Sequence, residues 1–261
     1  MGPAMIASKF FLLLERLYRD DSEQFQQDML NWIQRSRLQK VFTPNPEQVM
    51  QAHSDPQFFD ELLQGDVLLP DGTQLVVAAR AAQEAGKVLH SPHERITGVD
   101  VLEWWLEEGK SRKVATALIG GQDGVAQALA KDTDPEQTWC FGHSGYAAVA
   151  RPTPEEEQKL LDFVTEKQPV VLFVAFGAPW QERWTLEHAN WLQSQGVRVV
   201  VVCGGALDVL SPASSLRRAP RWMRQLGLEW LFRLFQQPSR WKRQTNVLEF
   251  MKVSRSWIAE E

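Results

Sequence analysis

Only two of the 261 residues are cysteine, Cys140 and Cys203, and they have neither a close thiol partner nor Cys-x-x-Cys spacing. That excludes a disulfide framework and a zinc cluster, and both thiols are expected to pack as small buried hydrophobes. Long apolar runs are missing too. The longest, Phe10 to Leu14 and Val170 to Phe176, fall far short of the roughly 20 residues that a membrane-crossing helix needs. The N-terminus has no basic start, long apolar stretch or small-residue cleavage site, so the cytoplasm is the expected compartment. Repeats and low-complexity tracts are absent, which removes collagen, coiled coil and disorder. What is present, 44% hydrophobic and 23% charged residues with 16 Gly and 14 Pro, suits one large globular domain or one with a small appendage.

The net charge of −5 hides an asymmetry. Between Arg217 and Arg255 ten basic residues face two acids, Glu229 and Glu249, while the rest of the chain holds the other 18 basic and 31 acidic residues. A segment of +8 on a body of −13 invites an anionic partner, and its Trp222, Trp230, Trp241 and Trp257 suit an interface with anionic lipid headgroups. The alternative is a solvated basic helix packed on the acidic body. Nucleic acid fits less well, because these aromatics follow helical spacing and form no stacking surface on a sheet.

Short apolar runs alternate with helical periods along the chain. Strands are expected at 39–42, 66–69, 114–119, 138–141, 170–176 and 197–203. Helices are expected at 22–35, 47–53, 56–64, 74–85, 99–108, 124–130, 154–166 and 180–195. After Asp208 only short helices are expected, with 229–235 the most amphipathic. The pattern predicts an α/β fold: a parallel, Rossmann-like sheet with helices on both faces, plus a C-terminal helical appendage. Ligands in such folds bind beyond the carboxyl ends of the strands. There the polar and Gly-rich tips gather: Thr43 to Asn45, Asp71-Gly72, Gly120-Gly121, Gly142 to Tyr146, Gly177 to Gln181 and Gly204 to Asp208.

Four motifs carry possible chemistry. Gly120-Gly121-Gln122-Asp123-Gly124 lies between a strand and a helix, where backbone amides can hold a phosphate; the spacing suits a nucleoside diphosphate better than a dinucleotide, and a tight turn is the alternative. Gly142-His143-Ser144-Gly145-Tyr146 nearly forms a nucleophile elbow, with Asp162 and His188 as triad partners, but Tyr takes the fifth place. Asp132-Thr133-Asp134 matches a cation-binding Asp-x-Asp, yet it follows a helix in a run of acids and reads as a solvated loop. Asp71, in Pro70-Asp71-Gly72 at a strand end, is placed to act as a general base or to cap the following helix.

Thr43-Pro44-Asn45-Pro46-Glu47, Pro70-Asp71-Gly72, Glu94-Arg95-Ile96-Thr97-Gly98-Val99-Asp100, Gly177-Ala178-Pro179-Trp180-Gln181-Glu182, and Arg218-Ala219-Pro220 followed by Gly227-Leu228-Glu229-Trp230-Leu231-Phe232-Arg233-Leu234 together resemble the WecG/TagA/CpsF glycosyltransferase family, from about Val41 to Arg243. The resemblance implies an inverting, metal-independent enzyme without a cofactor. Such an enzyme moves an N-acetylmannosamine-type sugar from a UDP donor to polyprenyl-diphosphate-linked N-acetylglucosamine at the cytoplasmic membrane face. It implies Asp71 as catalytic base, Thr43 and Asn45 orienting the sugars, Arg95 and Gln181 contacting substrate, and Gly145 and Tyr146 at the nucleotide. Gly120, Gly121 and Asp208 at neighbouring tips are added to the nucleotide set, and Arg233, Arg240 and Arg243 resemble appendage arginines that neutralise the leaving diphosphate. The organisation expected is a helical segment 1–40, an α/β catalytic body 41–210 and an appendage 211–261. A non-catalytic protein binding anionic lipid through the basic tail is the competing account. Trp104, Leu106, Trp191 and Leu192 are expected in the core, with a homo-oligomer interface as the alternative.

Overall fold

The computed structural model describes residues 3–122, 124–225, 229–238 and 241–259. They divide into two compact units, one of Met1–Gln24, Thr43–Thr97 and Arg218–Glu261, the other of Phe25–Phe42 and Gly98–Arg217.

The second unit holds the parallel sheet. Strands β1 (Gln39–Phe42), β3 (Thr116–Gly120), β4 (Cys140–His143), β5 (Val171–Ala175) and β6 (Val199–Val202) run in the order β1-β6-β5-β3-β4, every neighbouring pair parallel. Helices α7 (Val125–Thr133), α8 (Pro154–Lys167) and α9 (Trp180–Ser194) connect β3 to β4, β4 to β5 and β5 to β6, because parallel neighbours require a crossover. Strands β3, β5 and β6 are buried along their whole length, which explains why their sequences show no polar alternation. Successive side chains still divide between the two faces. Ala117, Ile119, Leu172, Val174 and Val200 pack with Leu160 and Val164 of α8 and Trp184 and Leu192 of α9. On other elements of this unit α7 lies against β3 and β4, and α10 (Ala206–Leu210) against α6 (Gly98–Arg112) and α7. The expected α/β fold is therefore the observed one. Gly142 shows how closely these layers meet: a Cβ there would lie 2.3 Å from the Ala126 carbonyl oxygen.

The first unit is mostly helical, with α1 (Pro3–Glu15), the start of α2 (Ser22–Trp32), α3 (Pro46–Ser54), α4 (Pro56–Leu62), α5 (Thr73–Glu84), α11 (Arg221–Gln225), α12 (Glu229–Gln236), α13 (Trp241–Ala259) and the short strand β2 (Val67–Leu68). Its centre is aromatic. Phe10 lies 4.8 Å from Trp257 and 6.1 Å from Phe250 between ring centroids, and Trp257 stacks on His53 at 5.3 Å. Helix α13 thereby packs on α3 and α5.

Three sequence expectations need correction. The tail is not made of short helices only, since α13 runs for 19 residues over a stretch free of Pro and Gly. Strand β4 starts two residues later than expected because the Asp134 carboxylate captures the backbone before it. Its Oδ2 accepts from the N–H groups of Thr138 (2.5 Å), Trp139 (2.7 Å) and Cys140 (3.2 Å). Asp134 is consequently buried rather than solvated, while Asp132 is exposed. Cys140 and Cys203 are free and buried as expected, and burial pushes the Cys140 thiol up to about 12. Leu192 is fully buried, Trp191 packs against the same core, and Trp104 and Leu106 are half-buried.

Candidate active site

In the first unit the chain brings Thr43, Asn45 and Asp71 together. Asn45 caps α3: its Oδ1 accepts from the Gln48 N–H at 3.0 Å, while Gln48 Oε1 accepts from the Asn45 N–H at 3.1 Å, and Pro46 supplies the first helical residue. This box fixes the Thr43–Pro46 loop and leaves the Nδ2 donors of Asn45 outside the cap. Thr43 is 4% exposed. The Asp71 N–H donates to the Pro44 carbonyl at 3.0 Å, so the two loops are joined by backbone. Gly72, at φ +151°, lets them close, since a Cβ there would meet Pro46 Cδ at 2.8 Å. Gly72 itself occupies the cap position of α5, so the half-buried Asp71 does not take the capping place that was its alternative.

Arg95 stands in a second loop of the same unit. Its Nη1 donates to Glu229 Oε2 at 3.1 Å, with the two side chains 20% and 14% exposed.

In the second unit Gly120, Gly121 and Asp208 converge. Gly121 N–H donates to the Ala175 carbonyl at 2.9 Å, and Gln122 N–H to Asp208 Oδ1 at 2.8 Å. Two amides of this turn thus meet protein oxygens, one a carboxylate, and the tight-turn alternative accounts for its glycines: a Cβ on Gly121 would lie 2.4 Å from Val125 Cγ2.

At the next tip Gly145 N–H donates to His143 Nδ1 at 2.9 Å, and burial holds the His143 imidazole below its usual pKa, which suits an accepting nitrogen. Gly145 has φ +75°, and a Cβ would lie 2.4 Å from the ring of Phe176. Tyr146 is buried against Phe176, 5.0 Å between centroids, and its hydroxyl donates to Glu157 Oε2 at 2.6 Å. Burial first, then the Glu157 carboxylate, raises the Tyr146 pKa. Glu157 Oε1 lies 2.9 Å from His188 Nε2, and His188 Nδ1 faces the Trp184 carbonyl at 2.9 Å. Ser144 Oγ accepts from Gln127 Nε2 at 2.7 Å, and Asp162 accepts from Gln158. His188 is thus engaged with Glu157 and Asp162 with Gln158, and no hydrogen bond joins Ser144, Asp162 and His188 as a triad among the described residues.

Gln181 links two further tips. It is 1% exposed, its Oε1 accepts from Gly177 N–H and Gly204 N–H, both at 3.2 Å, and its Nε2 donates to Glu182 Oε1 at 3.0 Å. Of the tail arginines, Arg233 stands on α12 and Arg243 on α13, their side chains outside the described set; Arg240 lies outside the described residues altogether. Sequence reasoning passed over Glu157 and Glu229. The signal for Glu229 was its rarity, one of two acids between Arg217 and Arg255.

The parallel α/β unit has glycine turns at its strand tips, the loops of the helical unit carry Asp, Asn, Thr and Arg, and these are the fold and residue types on which α/β group-transfer enzymes are built. The chain belongs to the glycosyl transferase WecG/TagA/CpsF family, whose family model matches residues 14–260. It is therefore a glycosyltransferase. It is 27% identical over 210 residues to the N-acetylglucosaminyldiphosphoundecaprenol N-acetyl-beta-D-mannosaminyltransferase of Bacillus subtilis (strain 168), covering 80% of this chain and 76% of that one. To the protein of the same name from Bacillus spizizenii (strain ATCC 23059 / NRRL B-14472 / W23) it is 26% identical over 211 residues, 81% and 76% of the two chains.

Proposed function

We propose that this protein transfers N-acetylmannosamine, or a closely related sugar, from a UDP donor to polyprenyl-diphosphate-linked N-acetylglucosamine, with inversion and without a metal, at the inner face of the cell membrane. The relatives' names support the sugar and the lipid-linked acceptor. In the reaction the acceptor hydroxyl attacks the anomeric carbon from the side opposite UDP. The new C–O bond forms as the bond to the diphosphate breaks, and Asp71 takes the hydroxyl proton. The observation that supports this reading is the Asp71 N–H to Pro44 carbonyl bond, which joins the loop of Asp71 to the loop that carries Thr43 and Asn45. Thr43 and Asn45 orient the sugars by hydrogen bonds, and Arg95 meets substrate oxygens.

The leaving UDP gains negative charge that fixed cations must offset. The +8 tail provides guanidinium groups for this, Arg233, Arg240 and Arg243 among them. The Asp-x-Asp pair is poorly suited to hold a cation in their place: Asp134 is turned inward onto three backbone N–H groups and Asp132 is exposed. Gly145 and Tyr146 with Gly120, Gly121 and Asp208 form the nucleotide side of the assignment.

No helix among the described residues is long and apolar enough to cross a membrane. Association at the surface is supported by an apolar groove of about 150 Å³ between α5 and α13, lined by Val77, Phe250, Met251 and Ile258 with Arg255 among them. It begins at Thr73, two residues after Asp71, and Leu248 on α13 is 68% exposed.

The test is UDP release and product mass from UDP-N-acetylmannosamine and a soluble lipid-diphosphate N-acetylglucosamine. Asp71→Asn is expected to cost ~100-fold to 10,000-fold in kcat with an unchanged melting temperature, the range of a lost general base. Full activity in that variant removes Asp71 from the chemistry. Binding to anionic vesicles without UDP release from any UDP-sugar would instead support the non-catalytic lipid-binding account.

A further inference from the structure

We infer that Glu229 is a positioning residue that aims the Arg95 guanidinium, an inference that rests on the reading of Arg95 as a substrate contact. The main chain around Arg95 is anchored without Glu229. His93 N–H donates to the Arg19 carbonyl at 2.7 Å, Arg80 Nη2 donates to the His93 carbonyl at 2.6 Å, and Glu94 Oε1 accepts from the Ser22 N–H at 2.6 Å. Ile96 and Thr97 beyond it are buried. These contacts place the Arg95 backbone but not the end of its long side chain, whose rotamer freedom must still be restrained. The Glu229 carboxylate supplies that restraint.

The contact has the form a positioning role requires. It is a single bond, Nη1 to Oε2 at 3.1 Å, so only one of the guanidinium's five N–H donors is spent and the other edge of the fork is left for an anionic substrate oxygen. Both side chains are largely sheltered, which makes the pair stronger than one in open solvent. The partner is also not a local convenience. Glu229 lies 134 residues along the chain from Arg95, in a segment, 217–255, where ten basic residues accompany only two acids. An inhibitory latch, with the carboxylate occupying the place of a substrate phosphate, makes the opposite kinetic forecast.

The full chain is assayed with UDP-N-acetylmannosamine and the soluble lipid-diphosphate acceptor, with melting temperatures measured in parallel. Glu229→Gln is expected to lower kcat/KM ~10-fold to 100-fold, chiefly by raising KM for one anionic substrate, the effect of misdirecting one charge-assisted contact. Glu229→Asp is expected to recover most of that loss. In an Arg95→Ala background, Glu229→Gln is expected to add less than ~2-fold, because residues acting through one another are not additive. A rise in kcat/KM for Glu229→Gln would establish the latch and overturn the inference. So would an equal loss in both backgrounds, or a Glu229→Gln protein that melts below the assay temperature. Wild-type kinetics for Arg95→Ala would overturn the reading of Arg95 itself, whereas the reaction as a whole stands or falls separately with Asp71→Asn.

Discussion

Replacing Gln181 by Met is expected to loosen two strand-tip loops at once. Methionine keeps the length, volume and helix propensity of glutamine, so packing at this 1% exposed position changes little. What disappears is an acceptor shared by the Gly177 and Gly204 amides and a donor to the buried Glu182 carboxylate. A buried polar group deprived of its partner costs ~1–3 kcal/mol. Gly177 and Gly204 are half-exposed and recover part of this from water, so the lower end of the range applies to those two bonds, while the fully buried Glu182 carboxylate takes the upper end, and the sum is ~5 kcal/mol. For a chain of this size each kcal/mol moves the melting temperature by ~2–4 °C, giving an expected fall of ~10–20 °C. Thermal unfolding followed by circular dichroism, with urea midpoints as a second measure, reads this directly. The reasoning is refuted if Gln181→Met melts like the wild type yet loses activity ~100-fold or more, a lost substrate contact rather than a lost clamp.

Gly142→Ala is expected to destabilise by at least the ~1–3 kcal/mol of ordinary overpacking, because the new methyl would meet Ala126 O at 2.3 Å and Gln127 Cα at 2.6 Å, backbone atoms that no rotamer change can clear; a shifted urea midpoint at constant slope checks it. Asp134 gives the pH counterpart. Burial alone would raise its carboxyl, but the N–H groups of Trp139, Cys140 and Thr138 together outweigh burial and hold its pKa below the ordinary range. The folded state therefore gains stability from this ionised carboxylate above the unfolded carboxyl value of about 4 and loses it as pH falls through the lower folded value. Asp134→Asn is expected to be less stable at pH 7 and to show a shallower decline in urea midpoint below about pH 4 than the wild type; parallel acid limbs would contradict the assignment.

The parallel sheet was legible because its central strands carry the signal in themselves: Val171–Ala175 and Val199–Val202 are apolar on both faces and separated by helix-period stretches. The start of β4 was not, because Asp134 reaches forward to three amides that local pattern would assign to the strand. Helix α13 was hidden because its basic and apolar residues follow no clear helical period, although the lack of Pro and Gly from 241 to 259 marks it. In the site, residue types were readable and partners were not. A sequence shows that position 181 is an amide, but not that its oxygen faces amides 4 residues before it and 23 after it. Nor does it show that Arg95 finds its carboxylate 134 residues away.

The polar residues singled out for chemistry turn out to hold structure as well. Asn45 gives its oxygen to a helix cap, Gln181 gives its whole acceptor to two loop amides, and Asp208 closes a glycine turn through Gln122. This follows from where an α/β protein puts its site. Strand tips end in backbone groups with no ladder partner, each of which costs free energy if left unpaired, so polar side chains near the site are drawn into pairing them. The same bonds restrict the side chains to one orientation, and preorganised catalysis requires such restraint of any group that acts on substrate. Alanine at such positions removes the structural bond along with whatever else the side chain does. A substitution that preserves the structural bond and deletes only the remaining donor or charge separates them, and for this reason the tests at Asp71 and Glu229 turn on asparagine and glutamine, which keep shape and part of the hydrogen bonding while removing the ion.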